Sequence, residues 1–219
     1  MSAETPIPVS PTGIDTLDTA LGIGGLPKGH LTEIFGVGEA YKTLTLTVVA
    51  AAQERGATCA YIDSRHDLTL SRVRDLGVDV SRLLISQPES MSHALTVVDA
   101  LARSGAVDII VVDQILHLVQ EAERDAIENG QNPTFHGRLL SRGLRQLKAS
   151  CAWSGCLAVF VESYPEFPTG SGRNAIRFHV DVRLEVVHND YMANQTRIGV
   201  LKNNLVSPFK TVETYCILP

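Results

Sequence analysis

Short runs of apolar residues alternate along the chain with amphipathic segments. The runs are rich in Val, Ile and Leu, which is typical of buried strands, and they lie at 31–35, 58–63, 83–86, 108–113 and 156–162. Apolar residues spaced three and four apart predict helices at 43–55, 73–76, 91–104 and 137–150. The run at 108–113 has the character of a strand that is buried on both faces of a parallel sheet. This alternation predicts an α/β fold with a mostly parallel central sheet flanked by helices.

The pattern changes towards the C-terminal end. Three strand-like segments at 177–187, 195–202 and 211–218 follow one another without helices between them. Strands joined by short connections pair in antiparallel fashion, because parallel strands need a longer crossover. We therefore expect an antiparallel C-terminal extension on the parallel sheet.

Composition narrows the class of protein. The chain has 219 residues, of which 44% are hydrophobic and 20% charged, which fits one globular domain. No apolar run reaches the roughly 18 residues that a transmembrane helix needs. The formal net charge of −5 gives no bulk attraction for nucleic acid, so DNA contacts would require a local basic patch. The four cysteines lack metal-ligand spacing, and we expect reduced thiols in a cytoplasmic protein.

A phosphate-binding sequence follows the first predicted core strand. The pattern G-x-x-x-x-G-K-[ST] is met at Gly36, Lys42 and Thr43, with a further glycine at Gly38. Tyr41 stands where the pattern has its second glycine. That glycine lets backbone N–H groups close around phosphates, and a residue with a Cβ reaches the same backbone angles only at a cost. We therefore expect a degenerate nucleotide site, with the phenol ring close to the position of the β-phosphate.

Longer stretches of the sequence resemble the RecA recombinase family. They lie at 12–18, 21–29, 99–108, 174–178, 182–184, 202–203 and 207–210. The resemblance extends over about 11–217 and implies a RecA-like P-loop NTPase core. It also implies the domain boundaries. We expect 1–10 to be a flexible N-terminal lead and 11–219 to be a single core domain, without the family's N-terminal polymerisation helix or its C-terminal domain.

The same resemblance implies that most residues of ATP chemistry have changed. The family places a glutamate, which activates the attacking water, two residues after the aspartate of the second core strand, and this chain has Arg65 there. A guanidinium stays protonated and cannot act as a general base. The other departures are at Thr69, Arg72, Gln114, Glu162, Ser163 and Asn204. We expect a chain that does not hydrolyse ATP.

Part of the family's nucleotide site is retained. Lys42, Thr43 and Asp113 match the residues that hold phosphate and Mg²⁺ in the family, with Thr43 and Asp113 as metal ligands. Lys202 matches one of two lysines that reach ATP across the subunit interface. The expectation is therefore that no cofactor is required, and residual binding of ATP and Mg²⁺ is left open.

Contacts with single-stranded DNA are implied at two loops and at the helix behind the first loop. The loops correspond to 121–137 and 164–173, and the candidate contacts are Arg138, Arg142, Arg145, Arg173 and Arg177. On a helix the first three arginines fall opposite a row of leucines, which gives a basic stripe suited to phosphates. A solvated helix face is the alternative interpretation. The four acidic residues between 121 and 128 would repel DNA, so we expect weak binding.

Three functions remain open. The first is a divergent ATP-dependent, single-stranded-DNA-binding recombinase, which Tyr41 and Arg65 disfavour. The second, which we favour, is a non-catalytic RecA-like accessory protein of bacterial DNA repair and the SOS response. It would be similar in role to ImuA-type proteins and would modulate RecA filaments, recombination or translesion DNA synthesis through protein contacts. Its partners would be RecA or the end of a RecA filament, and translesion polymerase subunits. The third is a structural subunit of another assembly.

Overall fold

The computed structural model describes residues 6–132, 134–164, 171–189, 195–206 and 211–218. The strands of that part are β1 Val9–Ser10, β2 Leu26–Pro27, β3 Leu31–Gly36, β4 Cys59–Asp63, β5 Leu83–Ser86, β6 Ile109–Asp113, β7 Leu157–Ser163, β8 Val182–Asn189, β9 Gln195–Asn203 and β10 Val212–Cys216. The helices are α1 Asp15–Ala20, α2 Ala40–Glu54, α3 Leu70–Asp75, α4 Met91–Ser104, α5 Ile115–Glu128, α6 Thr134–Ser154 and α7 Ser171–His179, with a short 3-10 turn at Val80–Arg82.

Eight strands form one sheet in the order β10-β9-β8-β3-β7-β6-β4-β5. The strands from β8 to β5 in this order run parallel to one another. The last two, β9 and β10, are antiparallel to their neighbours. The predicted fold class, a mostly parallel sheet with an antiparallel C-terminal extension, is therefore confirmed.

The hydrophobic core lies on both faces of this sheet, as the unbroken apolar runs predict. In β6, Ile109 and Val111 belong to one buried cluster, while Ile110 and Val112 belong to the other. Successive side chains of a strand point to opposite faces, so a strand with helices on both sides has to be apolar at every position. Helix α2 supplies the first cluster, and α4 and α6 supply much of the second.

The predicted strand at 177–187 is wrong in its first part. Residues 171–179 form α7, and the strand begins at Val182. Ala175 and Ile176 of α7 are buried, whereas Phe178 is exposed. One apolar side chain therefore points to solvent and two point inward, which is the pattern of an amphipathic helix.

The first predicted DNA loop, 121–137, is also largely helical. Helix α5 continues to Glu128, and α6 begins at Thr134. Ile115, Leu118 and Val119 are buried on one side of α5, and Ala126 extends the same side. The acidic residues between 121 and 128 therefore lie along a helix instead of a loop.

The first residues of the described part are held by a small separate sheet. Val9 and Ser10 pair with Pro27 and Leu26 in antiparallel fashion. The amide of Lys28 also donates to the carbonyl of Pro8 at 2.8 Å. The predicted flexible lead, 1–10, thus ends in a strand, and residues 1–5 lie outside the described part.

Two further expectations concern thiols and membranes. Cys59, Cys151 and Cys156 are buried free thiols, and Cys216 is a half-buried one. Among the described residues no helix is long and apolar enough to cross a membrane.

Candidate functional site

The residues implicated in nucleotide chemistry meet at the carboxyl ends of the parallel strands. Strands β3, β4, β6 and β7 are parallel and end at Gly36, Asp63, Asp113 and Ser163. The register pairs Gly36 with Ser163 and Asp63 with Asp113. Ligands of open α/β sheets bind at the carboxyl ends of the strands, so this edge is the candidate site.

The phosphate-loop backbone has the geometry that its glycines predict. A Cβ on Gly36 would lie 2.1 Å from the carbonyl oxygen of Val186 on the adjacent strand, so only glycine fits there. Gly38 has φ +69°, in the left-handed region that glycine adopts without strain. The loop then enters α2 at Ala40. The turn from strand to helix is therefore retained, although the second glycine of the pattern is not.

Tyr41 does not lie where we expected. Its side chain is only 3% exposed and belongs to the core cluster beneath α2. Its hydroxyl accepts a hydrogen bond from Nε2 of Gln114 at 3.3 Å. Burial raises the pKa of Tyr41 to about 12. We expected the ring close to the β-phosphate, and the structure instead packs it into the core.

Lys42 is held between two carboxylates. Its Nζ lies 3.0 Å from Oδ1 of Asp67 and 3.2 Å from Oδ2 of Asp113. Burial alone would lower the pKa of Lys42, but Asp113 and Asp67 outweigh it and raise the pKa. The lysine is therefore fully charged and already paired within the chain.

Asp113 is a buried carboxylate with one satisfied oxygen. The hydroxyl of Tyr61 donates to Oδ2 at 2.7 Å, and Lys42 contacts the same oxygen. Oδ1 is buried and has no hydrogen-bond partner among the described residues. Burial raises the pKa of Asp113, although Lys42 and Tyr61 act in the opposite direction.

Three carboxylates come close together at this edge. Oxygen atoms of Asp63, Asp67 and Asp113 lie within 4.8 Å of one another. The amides of Asp67 and Leu68 each donate to Asp63 at 3.2 Å, and Lys42 lies beside the other two carboxylates. The positive charge that this cluster attracts is thus supplied by a lysine side chain.

The residues that would hold Mg²⁺ do not fit the ion in this arrangement. The hydroxyl of Thr43 donates to the carbonyl of Glu39 at 3.1 Å and accepts from Nη2 of Arg72 at 3.1 Å. Nη1 of Arg72 lies 2.5 Å from Oε2 of Glu39. A guanidinium therefore occupies the side of Thr43 that a cation would need, so the expected ligand pair of Thr43 and Asp113 is not available to a metal as arranged.

Arg65 follows β4 by two residues, and its guanidinium contacts a carboxylate and an amide side chain. Its Nε lies 3.2 Å from Oδ2 of Asp67, and its Nη1 donates to Oε1 of Gln114 at 3.4 Å. Gln114 itself has left-handed backbone angles, φ 59° and ψ 48°, immediately before α5. It links Arg65 to the hydroxyl of Tyr41, so three of the positions that depart from the family pattern contact one another.

Glu162 is buried at the end of β7. Its Oε1 accepts from the amide of Leu116 at 3.2 Å. Burial raises its pKa well above the ordinary value of a glutamate, and the nearby carboxylates of Glu33 and Asp113 act in the same direction. This side chain therefore binds the start of α5 instead of pointing into the crevice.

Lys202 lies on β9, away from the carboxyl ends of the parallel strands. It pairs with Arg183 near the start of β8, whereas Gly36 pairs with Val186 further along the same strand. Its Nζ donates to the carbonyl of Val180 at 2.6 Å and to that of Arg177 at 3.1 Å. Within one protomer Lys202 therefore closes the end of α7 and is not brought together with Lys42.

The candidate DNA contacts lie on two helices. Arg138, Arg142 and Arg145 are exposed on α6, and Leu140, Leu144 and Leu147 are buried on the opposite side, so the predicted stripe lies along the exposed side of this helix. Arg177 is exposed on α7. Arg173 is half-buried and donates to the carbonyl of Ser163 at 3.3 Å.

The second predicted DNA loop lies partly outside the described residues. Residues 165–170 are not described, and α7 begins at Ser171. Tyr164, at the start of the loop, donates its hydroxyl to Oε1 of Glu185 at 2.5 Å. Its ring lies 5.5 Å from that of Phe35. Tyr164 is therefore held against the sheet.

Comparison with known proteins decides the family. The RecA N-terminal domain family matches residues 1–218. The chain belongs to the RecA family. Relatives named Protein RecA include that of Brucella anthropi, 41% identical over 221 residues, which cover 93% of this chain and 61% of the relative. That of Blastochloris viridis is 42% identical over 218 residues, 92% of this chain and 63% of the relative.

A third RecA relative matches this chain over a similar length. The protein of Azospirillum lipoferum is 41% identical over 220 residues, which cover 92% of this chain and 61% of the relative. The chain thus spans less than two thirds of the length of the RecA relatives it matches. The resemblance stated from the sequence motifs is confirmed as family membership.

Two residues of this RecA-family site carry contacts that sequence reasoning missed. Asp67 pairs with Lys42 and Arg65, and Arg72 contacts Thr43 and Glu39. The family pattern marks Arg72 only as a departure and does not mark Asp67 at all. The available signal was a pair of opposite charges five residues apart, shortly after the second core strand.

Proposed function

We propose that this chain is a RecA-family accessory protein of DNA recombination and repair that does not hydrolyse ATP. It acts through protein contacts that modulate RecA filaments, recombination or translesion DNA synthesis. Membership of the RecA family supports a role in DNA recombination and repair. The altered residues at the carboxyl ends of the parallel strands support the loss of ATP hydrolysis.

The observation that carries the proposal is Arg65. In the family pattern this position belongs to the glutamate that activates water, and here it is a guanidinium paired with Asp67. A group that cannot accept a proton removes general-base catalysis, which typically contributes about 10²–10⁴ in rate. The two aspartates at the ends of β4 and β6 do not replace this glutamate, because other groups already hold both of them. Asp63 is bound by backbone amides, and Asp113 is bound by Lys42 and Tyr61.

Glu162 supports the same conclusion. The family senses the γ-phosphate at the end of this strand with amide side chains, and this chain has a buried carboxyl that binds the amide of Leu116. The position therefore stabilises α5 and contributes nothing to the recognition of a triphosphate.

The outermost strand of the sheet, β5, supports a role in protein contacts. Strand β5 is the outermost parallel strand, and among the described residues it pairs on one side only, with β4. Its residues Leu84 and Ile85 are 49% and 40% exposed. An apolar edge strand is a template for pairing with another chain. This edge is the surface on which we expect a RecA protomer to dock.

The experiment mixes the chain with a RecA recombinase on single-stranded DNA. We expect co-sedimentation with the filaments and a change in filament length by electron microscopy. Ile85→Glu should abolish both effects, because a charge on the edge opposes pairing. Val212→Glu, on the exposed strand at the other edge of the sheet, is the matched control and should retain them. If the unmodified chain neither sediments with filaments nor alters their length, the accessory role is wrong.

A further inference from the structure

The strongest unexplained feature is the segment 65–72, which lies against the phosphate loop. It follows β4 and ends inside α3. Its position is fixed from below by Asp63, which accepts from the amides of Asp67 and Leu68 and from Nε2 of Gln87 at 2.9 Å. The carboxylate of Asp63 is fully buried, so this anchor is protected from water.

Asp67 gives this segment an anion at the phosphate loop. Its Oδ1 lies 3.0 Å from Nζ of Lys42, the contact distance of a charge-assisted hydrogen bond. Its Oδ2 lies 3.2 Å from Nε of Arg65. The lysine of a phosphate loop serves to neutralise a phosphoryl group. In this chain a carboxylate from the same chain takes that place.

Arg72 gives the same segment a cation at the other side of the loop. Its Nη2 donates to the hydroxyl of Thr43 at 3.1 Å, and its Nη1 lies 2.5 Å from the carboxylate of Glu39. The hydroxyl of this threonine normally binds Mg²⁺. The guanidinium therefore stands where the metal would approach, and this is the disagreement with Mg²⁺ noted above.

We propose that the segment 65–72 is an internal occupant of the phosphate site, with Asp67 in place of a phosphoryl group on Lys42 and Arg72 in place of the cation on Thr43. The proposal deepens the proposed function and rests on it, since a site without turnover has no need to exchange ligands. A nucleotide can bind only after both contacts break, so its apparent affinity is reduced by the fraction of open molecules.

The cavity beside the segment is small, as expected if the segment fills part of the phosphate site. The cavity between the segment and α2 has a volume of about 260 Å³ and is lined by Lys42, Asp67 and Arg72 among others. Ligand pockets are typically about 300–1,000 Å³. The existing cavity is therefore at or below the small end of that range, which is consistent with a segment that fills part of the site.

The test measures binding of a fluorescent ATP analogue with Mg²⁺ to the unmodified chain and to the double variant Asp67→Ala, Arg72→Ala. We expect binding about tenfold tighter in the double variant, which corresponds to about 1.4 kcal/mol. The matched control is Arg74→Ala with Asp75→Ala, the same residue types at exposed positions of α3. The control should bind as the unmodified chain does.

A milder pair, Asp67→Asn with Arg72→Gln, guards against loss of folding in the first variant. It should show a smaller gain in the same direction, because both charges are removed while polar side chains remain at both positions. Equal affinity in the unmodified chain and in both folded variants overturns the proposal. ATP turnover is followed in the same samples. Turnover by the unmodified chain contradicts the proposed function, whereas unchanged affinity without turnover contradicts only the internal occupant.

Discussion

Replacing Tyr41 with glycine restores the residue that the phosphate-loop pattern has at this position. From the sequence alone this change would open the site and increase nucleotide affinity. The structure predicts a different result. The ring lies in the core beneath α2 and is 3% exposed, and its hydroxyl accepts from Gln114. The glycine variant should therefore lose stability.

The magnitude follows from burial and from helix propensity. Removing a large buried aromatic side chain costs about 3–5 kcal/mol. A glycine within a helix costs about 1 kcal/mol more. The sum of about 4–6 kcal/mol is a large share of the roughly 5–15 kcal/mol that stabilises a domain. At roughly 2–4 °C per kcal/mol for a domain of this length, the melting temperature should fall by roughly 8–24 °C.

The assay is thermal unfolding followed by circular dichroism. Tyr41→Phe is the control, because it keeps the ring and removes only the acceptor of Gln114, at a cost of about 1 kcal/mol. Nucleotide binding is measured on all three proteins. A glycine variant that melts within a few degrees of the unmodified chain and binds nucleotide more tightly would refute the buried placement of the ring.

Three further predictions concern other parts of the molecule. Glu162→Gln should stabilise the fold on the order of 1 kcal/mol at pH 8 and by less at pH 4 in denaturant titrations. Because burial raises the folded-state pKa of Glu162 above its unfolded value, the stability it contributes is present at low pH and lost as pH rises through the folded pKa. A gain that is equal at both pH values would contradict this. Arg183→Met should cost about 3–5 kcal/mol, because it leaves the buried Glu33 without its ion-pair partner, and adding Glu33→Gln should recover part of the loss. No recovery in the double variant would contradict the pairing. The double variant Arg138→Glu, Arg142→Glu should bind single-stranded DNA more weakly and with a smaller salt dependence in fluorescence anisotropy. Unchanged binding would favour a solvated helix face.

The fold was predictable where burial alone decides the pattern. Strand β6 is apolar at each position between its flanking aspartates because helices cover both faces of the sheet. Helix α4 was predicted with the observed bounds, since Ser90 caps its first turn and Gly105 ends it with left-handed backbone angles. Helix α7 was missed because a short amphipathic segment that leads into a strand has too few turns for its period to stand out.

The site was only half predictable, because its decisive contacts join residues that are distant in sequence. The sequence assigned Lys42 and Asp113 to one nucleotide site, and the structure brings them together at 3.2 Å. The direction of the Tyr41 ring depends on the rotation of α2 against the core, which the motif does not contain. The contact of Arg72 with Thr43 spans 29 positions and depends on how α3 packs. Motif comparison could name the changed positions but could not show that they contact one another.

We propose that this RecA-family chain does not hydrolyse ATP. The most direct measurement is phosphate release from ATP and Mg²⁺, with and without single-stranded DNA, for the unmodified chain and for Lys42→Ala. We expect both proteins to release phosphate at the same background rate, with no effect of DNA. DNA-stimulated turnover in the unmodified chain that Lys42→Ala abolishes would contradict this proposal.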